Sequence, residues 1–279
     1  DDPLIEIVGS ENLTSTNDWA PTFTNCRFID SDLTADSDHL APILIERAEP
    51  TFDGCEFRNL NIEASSNYNQ DHLGGPIQII GKESTGGGGY DTTAFRPQFK
   101  NCVIAGNSLK RGNHNQSWFN LYGGAVYVDF GAIPYFENTR IDSNIVDSEG
   151  RRNGYTTFAY GGGIALDNYL SRGEYIRLVN CSISGNTIKG DGNGGGGLWA
   201  RFPAVSLTNC VLVNNKIDGD YADNGDNQYS LGGAIYFDTE PYGTSTFPED
   251  PELRIVNSTI ADNSITNIIN NFDYVGGAG

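Results

Sequence analysis

The sequence predicts an all-β protein, a right-handed parallel β-helix (a solenoid) of about seven coils with variable loops. Three observations predict it: a repeated apolar pattern, an Asn or Gly inside each repeat, and a Gly-Gly pair that follows most repeats. The pattern is clearest at Ile176–Ile188, which reads IRLVNCSISGNTI. Self-similarity at a period of a few tens of residues is typical of a solenoid.

Each copy of the pattern carries a large apolar residue at positions zero, five and ten. The copies begin, at position zero, with Phe23, Phe52, Phe99, Phe136, Leu178, Leu207 and Ile255. Between the apolar positions lie polar residues, and Val, Ile, Phe and Thr are frequent. This alternation predicts short strands whose apolar side chains face a common core.

All five cysteines occupy position three of a copy, at Cys26, Cys55, Cys102, Cys181 and Cys210. Residues that share a repeat position are expected to stack in one inward-facing column, where Cys acts as a small buried apolar residue. The alternative is a disulfide between adjacent coils, such as Cys26 with Cys55, because neighbouring strands lie near the usable Cα distance.

Asn and Gly mark the bends. Position two is Asn in six copies and Gly54 in the other, and these residues tolerate the left-handed backbone of a sharp bend. Position eight is Asn in the last five copies, so that each Asn can hydrogen-bond the Asn of the next coil. Small residues such as Gly123-Gly124 and Gly232-Gly233 let the backbone entering a short strand pass close to its neighbours. Each coil is therefore predicted as strand, Asn bend, strand, loop, Gly-Gly strand and loop, with the right-handed crossover usual for parallel strands.

The repeat runs through the whole chain, which predicts one β-helix domain over residues 1–279, a segment of a larger protein. Residues 1–20, with a strand over Leu4–Val8, are expected to form a first partial coil or a cap. The last coil is expected to be truncated at Gly276–Gly279. Uneven spacing between copies places variable loops at two sites of a constant core, and such loops commonly carry binding residues.

The net charge of −19 argues against nucleic acid and against an anionic membrane surface as partners. No stretch of about 18 apolar residues is present, so direct membrane insertion is not expected.

Aromatic residues beside Asn, Gln and Asp near the Gly-Gly pairs are the candidate ligand-binding residues. An aromatic ring can cover the apolar face of a sugar while amides bond its hydroxyl groups. The alternative is that these rings anchor long loops to the core. The candidates are Trp118, Phe119, Tyr122, Tyr155, Tyr160, Trp199, Arg201 and Tyr229.

One acidic run, DGDYADNGDN, offers hard oxygen ligands for Ca²⁺. Its carboxylates are Asp218, Asp220, Asp223 and Asp226. The alternative is a solvated acidic loop, and no cofactor other than Ca²⁺ is predicted.

No catalytic residues are assigned, because the chain lacks a nucleophile motif and the Asn-Thr-Asp, Asp-Asp and His-Gly signatures of β-helix polysaccharide hydrolases. Arg177 and Arg254 directly precede position zero, so strand alternation places them on the outer face. There they could act as a base or as a substrate clamp, and the alternative is that they simply face solvent. The chain is interpreted as more typical of a binding protein than of an enzyme.

Gly-Gly-Ala-Val at 123–126, Gly-Gly-Ala-Ile at 232–235 and the Phe-x-Asn phrases at 23–25, 99–101 and 136–138 resemble bacterial β-helix surface proteins. These are the polymorphic outer-membrane-protein and autotransporter-passenger type, and large secreted adhesins. The resemblance implies an extracellular, cell-surface protein without known cofactors. We therefore expect an adhesin or stalk segment that binds glycans or partner surfaces through its loops, attached to further domains. A polysaccharide lyase or glycoside hydrolase and a purely structural spacer remain the alternatives.

Overall fold

The computed structural model describes residues 4–9, 20–36, 41–64, 72–81, 94–112, 119–129, 131–148, 157–167, 174–190, 193–201, 203–219, 229–238, 251–266 and 274–276. These residues form 32 β-strands and no helix, so none of them belongs to a helix able to span a membrane. Every strand pairing among them is parallel. The predicted all-β class is thereby confirmed, and the parallel sheets are compatible with a β-helix.

The strands are short and follow one another at regular intervals. The first half of the chain contains β1 (Ile5–Val8), β2 (Thr22–Thr24), β3 (Arg27–Ala35), β4 (Ile43–Glu46), β5 (Thr51–Asp53), β6 (Glu56–Ala64), β7 (His72–Gly74), β8 (Ile77–Ile80), β9 (Gln98–Lys100), β10 (Val103–Ala105), β11 (Ser108–Lys110), β12 (Phe119–Tyr122), β13 (Val126–Asp129), β14 (Tyr135–Glu137), β15 (Arg140–Asp142) and β16 (Ile145–Asp147). The second half contains β17 (Thr157–Tyr160), β18 (Ile164–Asp167), β19 (Tyr175–Val179), β20 (Ser182–Ser184), β21 (Thr187–Lys189), β22 (Asn193–Gly194), β23 (Leu198–Arg201), β24 (Ala204–Thr208), β25 (Val211–Val213), β26 (Lys216–Asp218), β27 (Tyr229–Leu231), β28 (Ile235–Asp238), β29 (Leu253–Val256), β30 (Thr259–Ala261), β31 (Ser264–Thr266) and β32 (Tyr274–Gly276).

Four parallel sheets collect equivalent strands from successive repeats. Sheet A has the order β1-β4-β8-β13-β18-β23-β28, and sheet B the order β2-β5-β9-β14-β19-β24-β29. Sheet C contains β3, β6, β10, β11, β15, β16, β20, β21, β25, β26, β30 and β31, and sheet D has the order β7-β12-β17-β22-β27-β32. Along the chain the sheets are visited cyclically, from B through C and D to A. The strand predicted near the N-terminus is confirmed as β1, which pairs with β4.

The register of sheet B aligns the residues at position zero of all seven copies. Their side chains form the core: Phe52, Phe99 and Phe136 are fully buried. Their rings stack with centroids 5.1 Å apart at each step. At the two ends of sheet B the side chains are less buried: Phe23 is half-buried and Ile255 is 42% exposed. Among the described residues, each of these end strands has a neighbour in sheet B on one side only. The predicted core positions are thus confirmed.

Two left-handed bends, rather than one, shape each copy. The residues at position two all have positive φ, from 49° at Asn138 to 67° at Gly54, as predicted. Position seven also has positive φ in every copy, for example 53° at Asn59 and 56° at Ser143. This second bend is not predictable from a single residue type, because position seven varies among Asp, Asn, Ser and Gly. Each of these residue types tolerates a left-handed backbone or forms local hydrogen bonds there.

The predicted contact between Asn residues at position eight is confirmed as a buried ladder. The Nδ2 atom of each Asn donates to Oδ1 of the Asn in the next copy, at 2.9 Å in all four steps. The ladder runs through Asn107, Asn144, Asn186, Asn215 and Asn263. Because an amide has two donors and two acceptor sites, one side chain can satisfy several buried groups at once.

The Gly-Gly pairs form the corner between sheets D and A rather than the start of a strand, which corrects the predicted coil. The first glycine adopts positive φ in four of the pairs, with a φ of 76° at Gly123. A Cβ on the second, at Gly124, would lie 2.1 Å from the Gly162 carbonyl oxygen. The predicted close backbone approach is therefore present. The segments before the pairs, interpreted from sequence as loops, contain the strands of sheet D.

All five cysteines are free thiols, and all but the half-buried Cys26 are buried, so the prediction of core filling is confirmed. Their thiols do more than fill space. The Sγ atom of Cys102 donates to the carbonyl oxygen of Phe52 at 3.4 Å, and Thr139 Oγ1 donates to that of Phe99 at 3.1 Å. Position three thus selects a small hydrogen-bond donor, which explains why Thr and Ser replace Cys there.

Candidate functional site

The outer face of sheet B carries the functional candidates that the structure brings together. The side chain directly before position zero points away from the core because side chains alternate along a strand. The register places Gln98 beside Tyr135, and Tyr135 beside Arg177, on the neighbouring strands β9, β14 and β19. An amide, an aromatic ring and a guanidinium therefore form a continuous row on this face.

A cleft of about 310 Å³ lies over this row, and we call it the sheet B cleft. Its lining residues are Arg96, Gln98, Ile133, Pro134, Tyr135, Glu174, Tyr175 and Arg177. This volume is at the lower end of the range found for small-molecule sites, about 300–1,000 Å³. The floor is apolar, since Ile133 and Pro134 are buried, whereas Glu174 and Arg177 are exposed at the mouth.

Ion pairs between the segments that enter sheet B form the walls of the cleft. Arg96 Nη2 lies 2.8 Å and 2.7 Å from the two carboxylate oxygens of Glu174, two copies further along the chain. The backbone N–H of Arg96 also donates to Glu49 Oε1 at 3.1 Å. This network fixes the position of Arg96 and neutralises its charge.

A second cluster closes the other side. The Tyr175 hydroxyl donates to Glu252, and Arg254 Nε donates to the same carboxylate at 2.6 Å. The Arg254 guanidinium also lies over the Tyr175 ring, 4.7 Å from its centroid. Hydrogen bonds from Arg254 and Tyr175 lower the pKa of Glu252. Arg254, which the sequence offered as a base or clamp, is thus ion-paired.

Arg177 differs from these two arginines. Its side chain is exposed, as strand alternation predicts, and among the described residues it forms no ion pair or hydrogen bond. Arg177 therefore presents a guanidinium to whatever enters the cleft.

Two groups at the cleft have raised pKa values. Burial raises the pKa of Glu49, although the Arg96 N–H and charge oppose the shift. Burial and the neighbouring Glu137 carboxylate raise the pKa of Tyr135. Tyr135 is therefore a neutral phenol near pH 7 and an uncharged part of the cleft lining.

Four of the predicted ligand-binding residues come together in a different place, at the corner of sheets D and A. Tyr122 and Tyr160 stack with centroids 5.1 Å apart, and Trp199 lies 4.8 Å from Tyr160. Arg201 lies 5.4 Å from the Trp199 ring. Tyr122 is 6% and Trp199 2% exposed. Their rings thus contact one another, which is how side chains that anchor a corner are expected to pack.

A row of charges crosses the same face of sheet A. Asp129, Asp167, Arg201 and Asp238 lie side by side on four neighbouring strands. Arg201 Nε donates to Asp167 Oδ1 at 2.9 Å, and Nη2 donates to the other oxygen. Asp129 and Asp167 are buried. Because both carboxylate oxygens of Asp167 accept hydrogen bonds from Arg201, this pair is suited to stabilising the contact between β18 and β23.

The remaining predicted residues are placed as follows. Trp118, Tyr155, Asp220, Asp223 and Asp226 lie outside the described residues. Phe119 begins β12 and Tyr229 begins β27, so both belong to sheet D rather than to loops. Their roles in binding stay predictions.

Asp218, the first residue of the predicted Ca²⁺ run, ends β26 and is engaged by protein groups. Its carboxylate accepts from Lys216 Nζ at 2.7 Å and from Thr266 Oγ1 at 3.0 Å. In the part of the chain that the structure describes, no three His, Cys, Asp or Glu side chains are grouped to hold a metal ion.

Arg177 was predicted from sequence as an outward-facing candidate, but Gln98 and Tyr135 in the same row were not. The signal was present, since aligning the copies at position zero places Gln98, Tyr135 and Arg177 in one outward row. The aromatic residues predicted to bind a ligand lie instead near the Gly-Gly pairs. Arg96 and Glu174 carried no such signal, because their contact depends on how the chain enters sheet B in copies that are not adjacent.

No protein-family model matches the chain, and neither a curated protein nor a solved structure is significantly similar to it.

Proposed function

We propose that this chain is a right-handed parallel β-helix of an extracellular surface protein, and that it binds glycans in the sheet B cleft. The cyclic order of the four parallel sheets supports the β-helix, since equivalent strands of successive repeats pair in the same sheet, as they do in a solenoid. The location at the cell surface rests on the resemblance of the repeats to bacterial surface proteins. Antibody labelling of intact source cells tests that location.

The observation that carries glycan binding is the composition of the cleft. Tyr135 and Tyr175 are half-buried and line the cleft, and the Arg254 guanidinium covers part of the Tyr175 ring. Gln98 and Arg177 surround them with hydrogen-bond donors, and Glu174 supplies acceptors. Sugars present an apolar face and a rim of hydroxyl groups, so a ring beside polar groups suits them. Binding is thus assigned to a sheet face rather than to the loops expected from sequence.

A glycan array with the purified chain tests this proposal. Tyr135→Ala removes ring surface from the centre of the cleft. The control is Thr51→Ala, which changes a residue of the same outward row two strands away from Tyr135. Loss of about 1.4 kcal/mol of contact corresponds to a tenfold weaker affinity. We expect at least that loss for Tyr135→Ala and wild-type binding for Thr51→Ala. Equal binding by both variants would place the glycan elsewhere, and no binding to any glycan would leave a structural spacer.

The second candidate function is a polysaccharide lyase or glycoside hydrolase. It is favoured by Glu49 and Glu174, two carboxylates on either side of Arg96. Burial raises the pKa of Glu49, whereas Glu174 is ion-paired, and carboxyls in contrasting environments are what acid–base catalysis uses. Release of reducing ends, or new ultraviolet absorbance from unsaturated uronates, would assign this activity.

A further inference from the structure

We propose that the sheet B cleft selects saccharides that carry a carboxylate, and that Arg177 binds this group. The inference rests on the proposed glycan binding and adds the chemical class of the ligand.

The charges that line the cleft support an anionic ligand. Arg96 is neutralised by Glu174 and contacts Glu49, with side-chain nitrogen–oxygen distances of 2.7 Å and 3.9 Å. Glu174 is therefore also compensated. Arg177 remains as an exposed guanidinium that no described carboxylate pairs with. Arg177 thus places an exposed positive charge at the mouth of the cleft.

The position of Arg177 defines where the carboxylate must lie. Arg177 and Tyr135 are direct neighbours in the register of β19 and β14. Adjacent strands lie about 4.8 Å apart. A sugar ring on Tyr135 therefore brings a substituent of that ring over the guanidinium. The planar fork of Arg matches both oxygens of a carboxylate, and such charge-assisted pairs are stronger than neutral hydrogen bonds.

The overall charge of the protein makes this recognition local. With a net charge of −19, the surface as a whole repels anions. An acidic saccharide must gain enough at Arg177 to overcome that repulsion. We therefore expect its affinity to rise when salt screens the distant charges, while the contact at Arg177 is kept.

The test uses one array that contains uronate oligosaccharides, the same oligosaccharides after reduction of their carboxyl groups, and sulfated oligosaccharides of equal length. The wild-type chain is expected to bind the uronates at least about tenfold more tightly than their reduced forms, as a charge-assisted hydrogen bond predicts. Arg177→Gln should remove this preference, because binding of the uronates should weaken by a larger factor than binding of the reduced forms. Arg177→Lys should retain part of it, and Arg140→Gln, an exposed arginine on sheet C, should retain all of it.

The possible outcomes separate this inference from the function on which it rests. Equal binding of uronates and reduced forms would overturn the carboxylate preference while leaving glycan binding intact. A preference for sulfated forms alone would assign a different anion and refute the role of a carboxylate. Absence of binding to all three sets would refute the inference and the proposed function together. An uronate preference that survives Arg177→Gln would show that Arg177 is not its cause.

Discussion

Replacing Asn144 in the buried ladder tests whether hydrogen bonds, rather than packing, hold successive repeats together. Its Oδ1 atom accepts from the Asn107 backbone N–H at 3.0 Å and from Asn107 Nδ2 at 2.9 Å. Its Nδ2 atom donates to the Ile104 carbonyl at 3.1 Å and to Asn186 Oδ1 at 2.9 Å. Asn186 Oδ1 keeps the Asn144 backbone N–H as a donor, at 3.1 Å. Truncation therefore removes one hydrogen bond from each of three buried groups, of which Asn107 Nδ2 keeps a second bond, to the Phe57 carbonyl at 3.3 Å.

At about 1–2 kcal/mol for each neutral group that loses a hydrogen bond, Asn144→Ala should cost about 3–6 kcal/mol of unfolding free energy. The lower end is expected, because a water molecule can enter the vacated space and restore part of the hydrogen bonding. Asn144→Leu restores the volume without the hydrogen bonds and excludes that water. If hydrogen bonds dominate, Leu at this position costs at least as much as Ala.

Urea unfolding followed by circular dichroism measures the loss, and amide hydrogen exchange at Asn107 reports it locally. The matched control is Asn138→Gly, in the exposed Asn ladder at position two. Asn138 donates to Asn101 Oδ1 at 3.2 Å near solvent, and glycine accepts its φ of 49°. We expect the control to cost under about 1 kcal/mol. The reasoning would be refuted if Asn144→Leu were as stable as the wild type, or if control and ladder variants lost equal stability.

Three further changes test the core and the corners. Gly124→Ala should prevent native stacking at that corner, because its Cβ would lie 2.1 Å from a backbone carbonyl that cannot move aside, and loss of the folded circular dichroism signal would show it. Phe99→Ala, which removes a fully buried ring stacked on both sides, should cost about 3–5 kcal/mol in urea unfolding, and a cost below 1 kcal/mol would contradict the packing described. Burial raises the pKa of Cys102 from 9.0 to about 12, so the stability that the buried thiol contributes is complete below pH 9 and is lost as the pH rises towards 12. Cys102→Ser should reduce that alkaline loss of stability in thermal melts from pH 8 to 12. An unchanged pH profile would show that the Cys102 thiol is not its cause.

The inward-facing positions and the first bend of this fold could be predicted from sequence, because each copy must meet the same requirements of burial and backbone conformation. A core position such as Phe99 contacts its equivalents in the copies before and after it, so one side-chain type is favoured throughout. The left-handed bend at position two restricts the residue there to Asn or Gly, because both tolerate positive φ. The second bend escaped prediction, because position seven admits Ser143 as well as Gly106 and so shows no single residue type.

The positions and contacts of the outward-facing side chains could be predicted only in part. Strand alternation correctly placed Arg177 and Arg254 outside, but it could not tell that Arg254 pairs with Glu252 while Arg177 pairs with no described carboxylate. Those contacts depend on side chains from copies that lie one or two steps apart. The aromatic residues Tyr122 and Trp199 were selected by composition alone, which does not distinguish a ring that faces a ligand from one that faces another ring.

This division between inner and outer positions bears on where a function can reside. An inner substitution disturbs the copies on both sides of it, as the fully hydrogen-bonded Asn144 illustrates, so the core offers little freedom for specialisation. An outward position on sheet B contacts its neighbours through a side chain whose far end is in solvent, and the row there changes from Gln98 to Tyr135 to Arg177 within three strands. A row of unlike side chains over a uniform core is therefore the place where we expect ligand recognition, and the sheet B cleft is that place.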